Sequence, residues 1–229
     1  MKTYHSLTVL SALLLSLSAP QLASAAGTAV VKNLSGAVSA QRADGSVRAL
    51  GKNSELEVGE VITTAKGSYA SIKFTDGGEL TLQPDTSVKI DQYGFDEAKP
   101  KDDSLVFSLV KGGLRSITGL VGKRGNRDAY KLNTETATIG IRGTDYRASM
   151  CKSNCGRSAN GLYLAVISGI INAKTDAGNL DFGAGAFGFV SSKTATPIIL
   201  PAKPEVPGMG GKDKDSGKKD TSGAGCYTS

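Results

Sequence analysis

The side chains most able to do covalent chemistry in this 229-residue chain are three cysteines, Cys151, Cys155 and Cys226. Two of them bound the short run Cys151-Lys152-Ser153-Asn154-Cys155. Three intervening residues do not give the Cys-x-x-Cys spacing of redox pairs, and no second ligand pair is present to complete a metal clip. In an oxidising compartment the pair reads as a small structural disulfide loop between strands. Cys226 is left over, available for a mixed or intermolecular bond or unused.

The general acid–base repertoire is thin. The single histidine, His5, falls within the first 26 residues, which read as an export signal, and there is no tryptophan. A mature chain without histidine has no Ser-His-Asp triad, no Cys-His pair and no imidazole zinc site. The commonest proton-transfer group is therefore missing. Carboxylates remain, in the stretches Glu55, Glu57, Glu60 and Asp96, Glu97, Asp102, Asp103. Neither has the ligand spacing of a calcium loop, so both read as solvated loops. A carboxylate-dependent enzyme on envelope polysaccharide stays open as the competing class. It would need two acids facing across a cleft.

Cationic chemistry is better represented. Arg142 and Asp145 flank Gly143, which reads either as a corner held by side chain-to-backbone hydrogen bonds or as an anion contact. The structural role is the expected one, with Arg142 and Asp145 in one network. Lys111, Arg115, Lys123, Arg124, Arg127 and Lys131 form a basic stretch opposed by Asp128. It reads as a solvated loop or as a patch for phosphates, acidic glycans or an acidic protein surface. The net charge of +6 and the scarcity of aromatics beside this stretch argue against nucleic acid.

The elements that must hold these groups are strands. Lys2, the apolar Leu7 to Leu17 core and Ala23-Ser24-Ala25 give residues 1–26 the form of a cleaved signal peptide. That core is too short for a membrane helix, and no other stretch is long and apolar enough to span a bilayer. A body at 27–196 follows, then a Pro-, Gly- and Lys-rich tail at 197–229. The tail composition predicts disorder, with a proline-rich neck. In the body Ala70, Ile72 and Phe74 alternate with polar residues, as do Leu80 and Leu82, then Val88 and Ile90. Alternation bounded by Gly, Asp and Pro predicts half-buried strands. Leu105 to Val110 and Leu162 to Ile167 are apolar on both sides and predict strands covered on both faces. Turn glycines recur at 59, 77, 94, 112, 143, 161 and 178, a spacing suited to a short β-solenoid or a rolled sandwich. No helical stripe occurs; the body reads as all-β.

Several segments together resemble the FecR domain. They are Leu34-Ser35-Gly36-Ala37-Val38, Val58 to Thr64, Tyr69 to Phe74, Lys111-Gly112-Gly113-Leu114-Arg115, Thr134 to Thr138 and Gly140-Ile141-Arg142-Gly143-Thr144. The match runs from about Leu34 to Val190. The resemblance implies a free-standing exported FecR-domain protein, with a signal in place of the anti-sigma segment and membrane helix of the iron-uptake regulators. It implies a non-catalytic binding or scaffold module without a cofactor, periplasmic or else secreted or at the cell surface. The expected partner is a protein or an acidic envelope component. A secreted adhesion factor displayed through the tail is a further alternative.

Overall fold

A computed structural model describes residues 28–210 apart from Gly125, Arg127 and Asn154. The segment read as an export signal, and the end of the tail with Cys226, lie outside the described residues. The chain opens with β1 (Ala29–Ser35), β2 (Val38–Gln41), β3 (Val47–Ala49), β4 (Glu55–Leu56) and β5 (Val61–Thr64). Next come β6 (Tyr69–Phe74), β7 (Glu79–Leu82) and β8 (Ser87–Gly94). Three long or linking strands follow: β9 (Ser104–Ile117), β10 (Tyr130–Asn133) and β11 (Thr138–Cys151). The last are β12 (Gly161–Thr175), β13 (Gly178–Gly183), β14 (Phe187–Val190) and β15 (Ile198–Leu200). The described residues form no helix.

Strands β9, β11 and β12 each serve two half-sheets. Their C-terminal, C-terminal and N-terminal parts, respectively, lie in a first half ordered β4-β1-β6-β7-β9-β11-β12-β14-β15. Their other parts lie in a second half ordered β3-β2-β5-β8-β9-β10-β11-β12-β13. The strands bend where glycines take positive φ, at Gly112 (81°), Gly143 (62°) and Gly169 (79°). A straight 14-residue strand would span roughly 45 Å. Yet Glu135 just before β11 forms an ion pair with Lys152 just after it, so the strand folds back on itself. The architecture is a rolled sandwich, one of the two arrangements the glycine spacing allowed. Gly112 and Gly143 are bends within strands, not turns between coils.

The predicted alternation places the core. Ile72, Phe74, Leu80, Leu82 and Leu114 point inward from the first half, and Ile62, Val88, Ile90, Phe107, Leu132 and Ile139 from the second. Contacts cross the layer: Phe74 meets the Tyr93 ring at 5.6 Å, and Ser116 Oγ lies 2.6 Å from Tyr130 Oη. Each fully buried large side chain contributes about 1.5–3 kcal/mol relative to exposure.

Two sequence expectations are corrected. Leu105 to Val110 is not covered on both faces, because Val106 is half-buried and Val110 is 51% exposed. The outer face of the second half is open there, and β9 alternates like its neighbours. Leu162 to Val166, by contrast, is buried on both faces, with Ile167 emerging to solvent. Its second cover comes from the segment expected to be disordered. The body does not end at Thr196: the chain continues as β15 and then as an extended strap whose Val206 and Met209 are buried. These two side chains pack with Cys151, Cys155, Tyr163 and Ala165, while Phe187, Phe189 and Leu200 flank them.

Prolines had argued for disorder, but a strap without those N–H groups can be held by its carbonyls. Ser149 Oγ donates to Pro207 O at 2.8 Å, Ser158 Oγ to Glu205 O at 3.3 Å and Arg147 Nη1 to Gly208 O at 3.4 Å.

Candidate functional site

The disulfide expected from spacing is formed. Cys151 ends β11, its Cα lies 5.7 Å from that of Cys155, and the bridge shapes the loop that leads to β12. Both cysteines are buried under Val206 and Met209, so the bridge forms part of the floor beneath the strap.

The Gly143 corner is built differently from the network expected for Arg142 and Asp145. Arg142 is exposed and has no side-chain partner among the described residues. Asp145 is instead gripped by Arg115 from β9, with Nε at 2.9 Å from Oδ1 and Nη2 at 2.7 Å from Oδ2. The reason lies in register: beyond the Gly143 bend, Asp145 stands opposite Ile117, which leaves it beside Arg115 on the outer face of the first half. Buried threonines lock the corner from below, with Thr144 N donating to Thr118 Oγ1 and Thr118 Oγ1 donating to Thr144 O. Gly143 keeps its positive φ, and Gly169 presses on it so closely that a Cβ there would sit 2.4 Å from Gly143 O.

The basic stretch does not form one patch. Arg115 is spent on Asp145. Arg124 binds Asp103 Oδ2 at 3.1 Å, donates to the carbonyls of Glu97 and Asp96, and lies over the Phe95 ring at 4.9 Å. Lys111 and Lys123 are exposed, Lys131 faces another side of the molecule on β10, and Arg127 lies outside the described residues.

The carboxylates read as solvated loops are in part internal. Glu60 is buried and chelated by Arg48 at 2.9–3.1 Å, with Arg42 at 3.6 Å and the Glu57 amide completing its shell. Asp103 is buried against Arg124, and Asp76, in the turn after β6, accepts from the amides of Gly78 and Val121. Each of these acids fastens a loop. Among the described residues, no three His, Cys, Asp or Glu side chains are grouped to hold a metal ion.

A polar-lined trough of about 580 Å³ lies on the outer face of the second half. It follows from strand register. Lys131 on β10 stands beside Gly140 on β11, which stands beside Asn172 on β12; one step along, Asn133, Thr138 and Lys174 form the parallel row. Their alternating neighbours Leu132, Ile139, Ile171 and Ala173 point into the core. Thr134, Glu135 and Ala137 wall one end, Asp128 sits on the rim, and Asp176 with Lys193 closes the other end at 3.9 Å. Thr138 Oγ1 donates to Asn133 Oδ1 at 3.1 Å, and Asn172 Nδ2 donates to Asp181 Oδ1 at 2.6 Å. Lys131 and Asp128 stand out in the sequence, but the trough does not. Its residues come from strands forty positions apart, and only register unites them.

The FecR protein family matches this chain over residues 60–172, which span β5 to most of β12. Two crystal structures of a proposed anti-sigma factor from Parabacteroides distasonis are similar to it at 11% and 10% identity, with TM-scores of 0.45 and 0.46. Each alignment covers 61% of this chain and 58% of the other, so the chain spans less than two thirds of those proteins. No curated protein matches it.

Proposed function

Because this chain is a FecR-domain protein, with the family's module at residues 60–172, we propose that it is a non-catalytic binding or scaffold module exported to the bacterial envelope. It recognises a protein or an acidic component of that envelope through the outer face of its folded sheet. The observation that carries this reading is the way the buried acids are used. Glu60, Asp76 and Asp103 are all committed to arginines or backbone amides that fasten loops. An acid so committed has its oxygens engaged and is fixed in place, which suits it to architecture and not to proton transfer. The trough, with its ladder of outward polar side chains, supplies an interaction surface on a rigid support.

Export is supported by the signal-like pattern of residues 1–26 and by the disulfide, a bond favoured in oxidising compartments. The test combines fractionation with chemical crosslinking in intact cells. The mature chain should start at Ala26 or Gly27, leave the cell with the soluble envelope fraction, and appear in a crosslinked complex of higher mass. An intact N-terminus in the inner-membrane fraction, or a chain that crosslinks to nothing, would overturn the proposal.

A further inference from the structure

Resting on that reading, we infer that the trough over β10, β11 and β12 is a binding site for an anionic glycan, a sugar chain carrying carboxylate or phosphate groups. Three features of the trough select this chemistry. First, Lys131 and Lys174 line it and neither ammonium has a partner among the described residues, whereas Lys193 and Lys152 are paired with Asp176 and Glu135. Two unspent ammonium groups on the strands either side of β11 call for anionic groups on the ligand.

Second, the surface between them is made of amides and hydroxyls, from Asn133, Asn172 and Thr138. Side-chain amides both donate and accept, as does a hydroxyl, and so match the hydroxyls of a sugar ring. The rim carboxylate of Asp128 accepts sugar hydroxyls but repels a bare inorganic anion, which tilts the choice toward an anion carried on a polyol. Third, the lining holds no large apolar side chain: Ala137 is its one aliphatic residue and no aromatic ring contributes. An acidic peptide would find no pocket for large apolar anchors. The volume of about 580 Å³ lies within the range of small-molecule sites and accommodates a short oligosaccharide segment.

Gly140 gives the trough its depth. It stands between Lys131 and Asn172 on the central strand, and a Cβ there would be 4.0 Å from the nearest heavy atom, Asn172 O. The backbone can therefore accept a larger residue, whose side chain would rise into the space a sugar ring occupies.

Calorimetric titration of the full mature chain at low salt tests this with four probes: trigalacturonate, glucose 6-phosphate, neutral maltotriose and a pentaglutamate peptide. Binding of either anionic sugar, in preference to maltotriose and pentaglutamate, is the expected result, and which of the two binds identifies the anion. The Lys131→Gln/Lys174→Gln variant should bind about tenfold more weakly or worse, the scale of losing two solvent-accessible ion pairs. Gly140→Val should abolish binding at an unchanged melting temperature. If Gly140→Val melts lower, the double lysine variant, which leaves the strand backbone untouched, decides the matter. Silence toward both anionic sugars, equal binding by the double lysine variant, or tighter binding of pentaglutamate would each overturn the inference. A complex captured in cells together with silence toward both sugars would discard the glycan and leave the binding module standing.

Discussion

At the residue scale, the arginines divide into those that hold the fold and those that do not. Arg115 and Arg142 both belong to segments that resemble the family, yet their environments are opposite. The Arg115–Asp145 pair is bidentate and three-quarters or more buried on each side, so removing one partner leaves the other charge poorly solvated. Arg115→Ala should lower stability by about 1–3 kcal/mol. Arg142→Ala should leave the melting curve in place, because its guanidinium is exposed and has no described partner. Thermal unfolding of the two variants side by side checks this, and a drop for Arg142→Ala with none for Arg115→Ala would reverse the assignment. Sequence alone singled out the right corner and glycine but paired Asp145 with the wrong arginine. Asp145 lies three positions from Arg142 and thirty from Arg115, and no local pattern reports on a partner brought in by the pairing of β9 with β11.

At the element scale, the strap is the part that composition concealed. Four prolines between 197 and 207 signal disorder when burial is judged from average hydrophobicity. Two apolar anchors, Val206 and Met209, suffice here because Tyr163 and Ala165 of β12 and Phe187 and Phe189 of β14 already make the outer face apolar. The doubly apolar run Leu162 to Val166 was the legible half of that interaction: it announced a cover without saying what the cover was. Met209→Ala should cost about 2–5 kcal/mol, as for other buried methionines cut to alanine. Ending the chain after Thr196 should lower the midpoint of denaturation further, while ending it after Gly210 should leave it unchanged. Equal midpoints for the two truncations would show that the strap does not contribute to the fold. Cys151→Ser should fold with reduced stability, since a bridge over so short a loop constrains the unfolded chain modestly.

At the scale of the whole molecule, the alternation of β6, β7 and β8 made the all-β class legible, because period-two patterns report directly on half-buried strands. The doubling of β9, β11 and β12 was not legible. A glycine at positive φ inside a strand looks in sequence like a glycine in a turn. One consequence of the folded core is a sensitivity to alkali. Burial in the layer between the half-sheets pushes the hydroxyls of Tyr130 and Tyr146 well above the usual tyrosine range. Their folded pKa values exceed the unfolded value of about 10. Their contribution is therefore complete below about pH 10 and is lost as pH rises, because the unfolded chain releases protons that the folded chain retains. Stability measured by denaturant should fall by up to about 1.4 kcal/mol per pH unit for each tyrosine above that point. Tyr146→Phe should make the slope shallower, and an unchanged slope would contradict burial of its hydroxyl.

The proposed meeting place of this protein with its ligand is one surface, the outer face of the second half-sheet. Placing a benzophenone amino acid at Lys174 in the trough, and separately at the exposed Lys66 in the turn before β6, and irradiating intact cells, tests that surface directly. The expected result is a higher-mass adduct from position 174 that disappears when Gly140→Val is added, with none from position 66. Equal adducts from both positions, or none from 174, would contradict it.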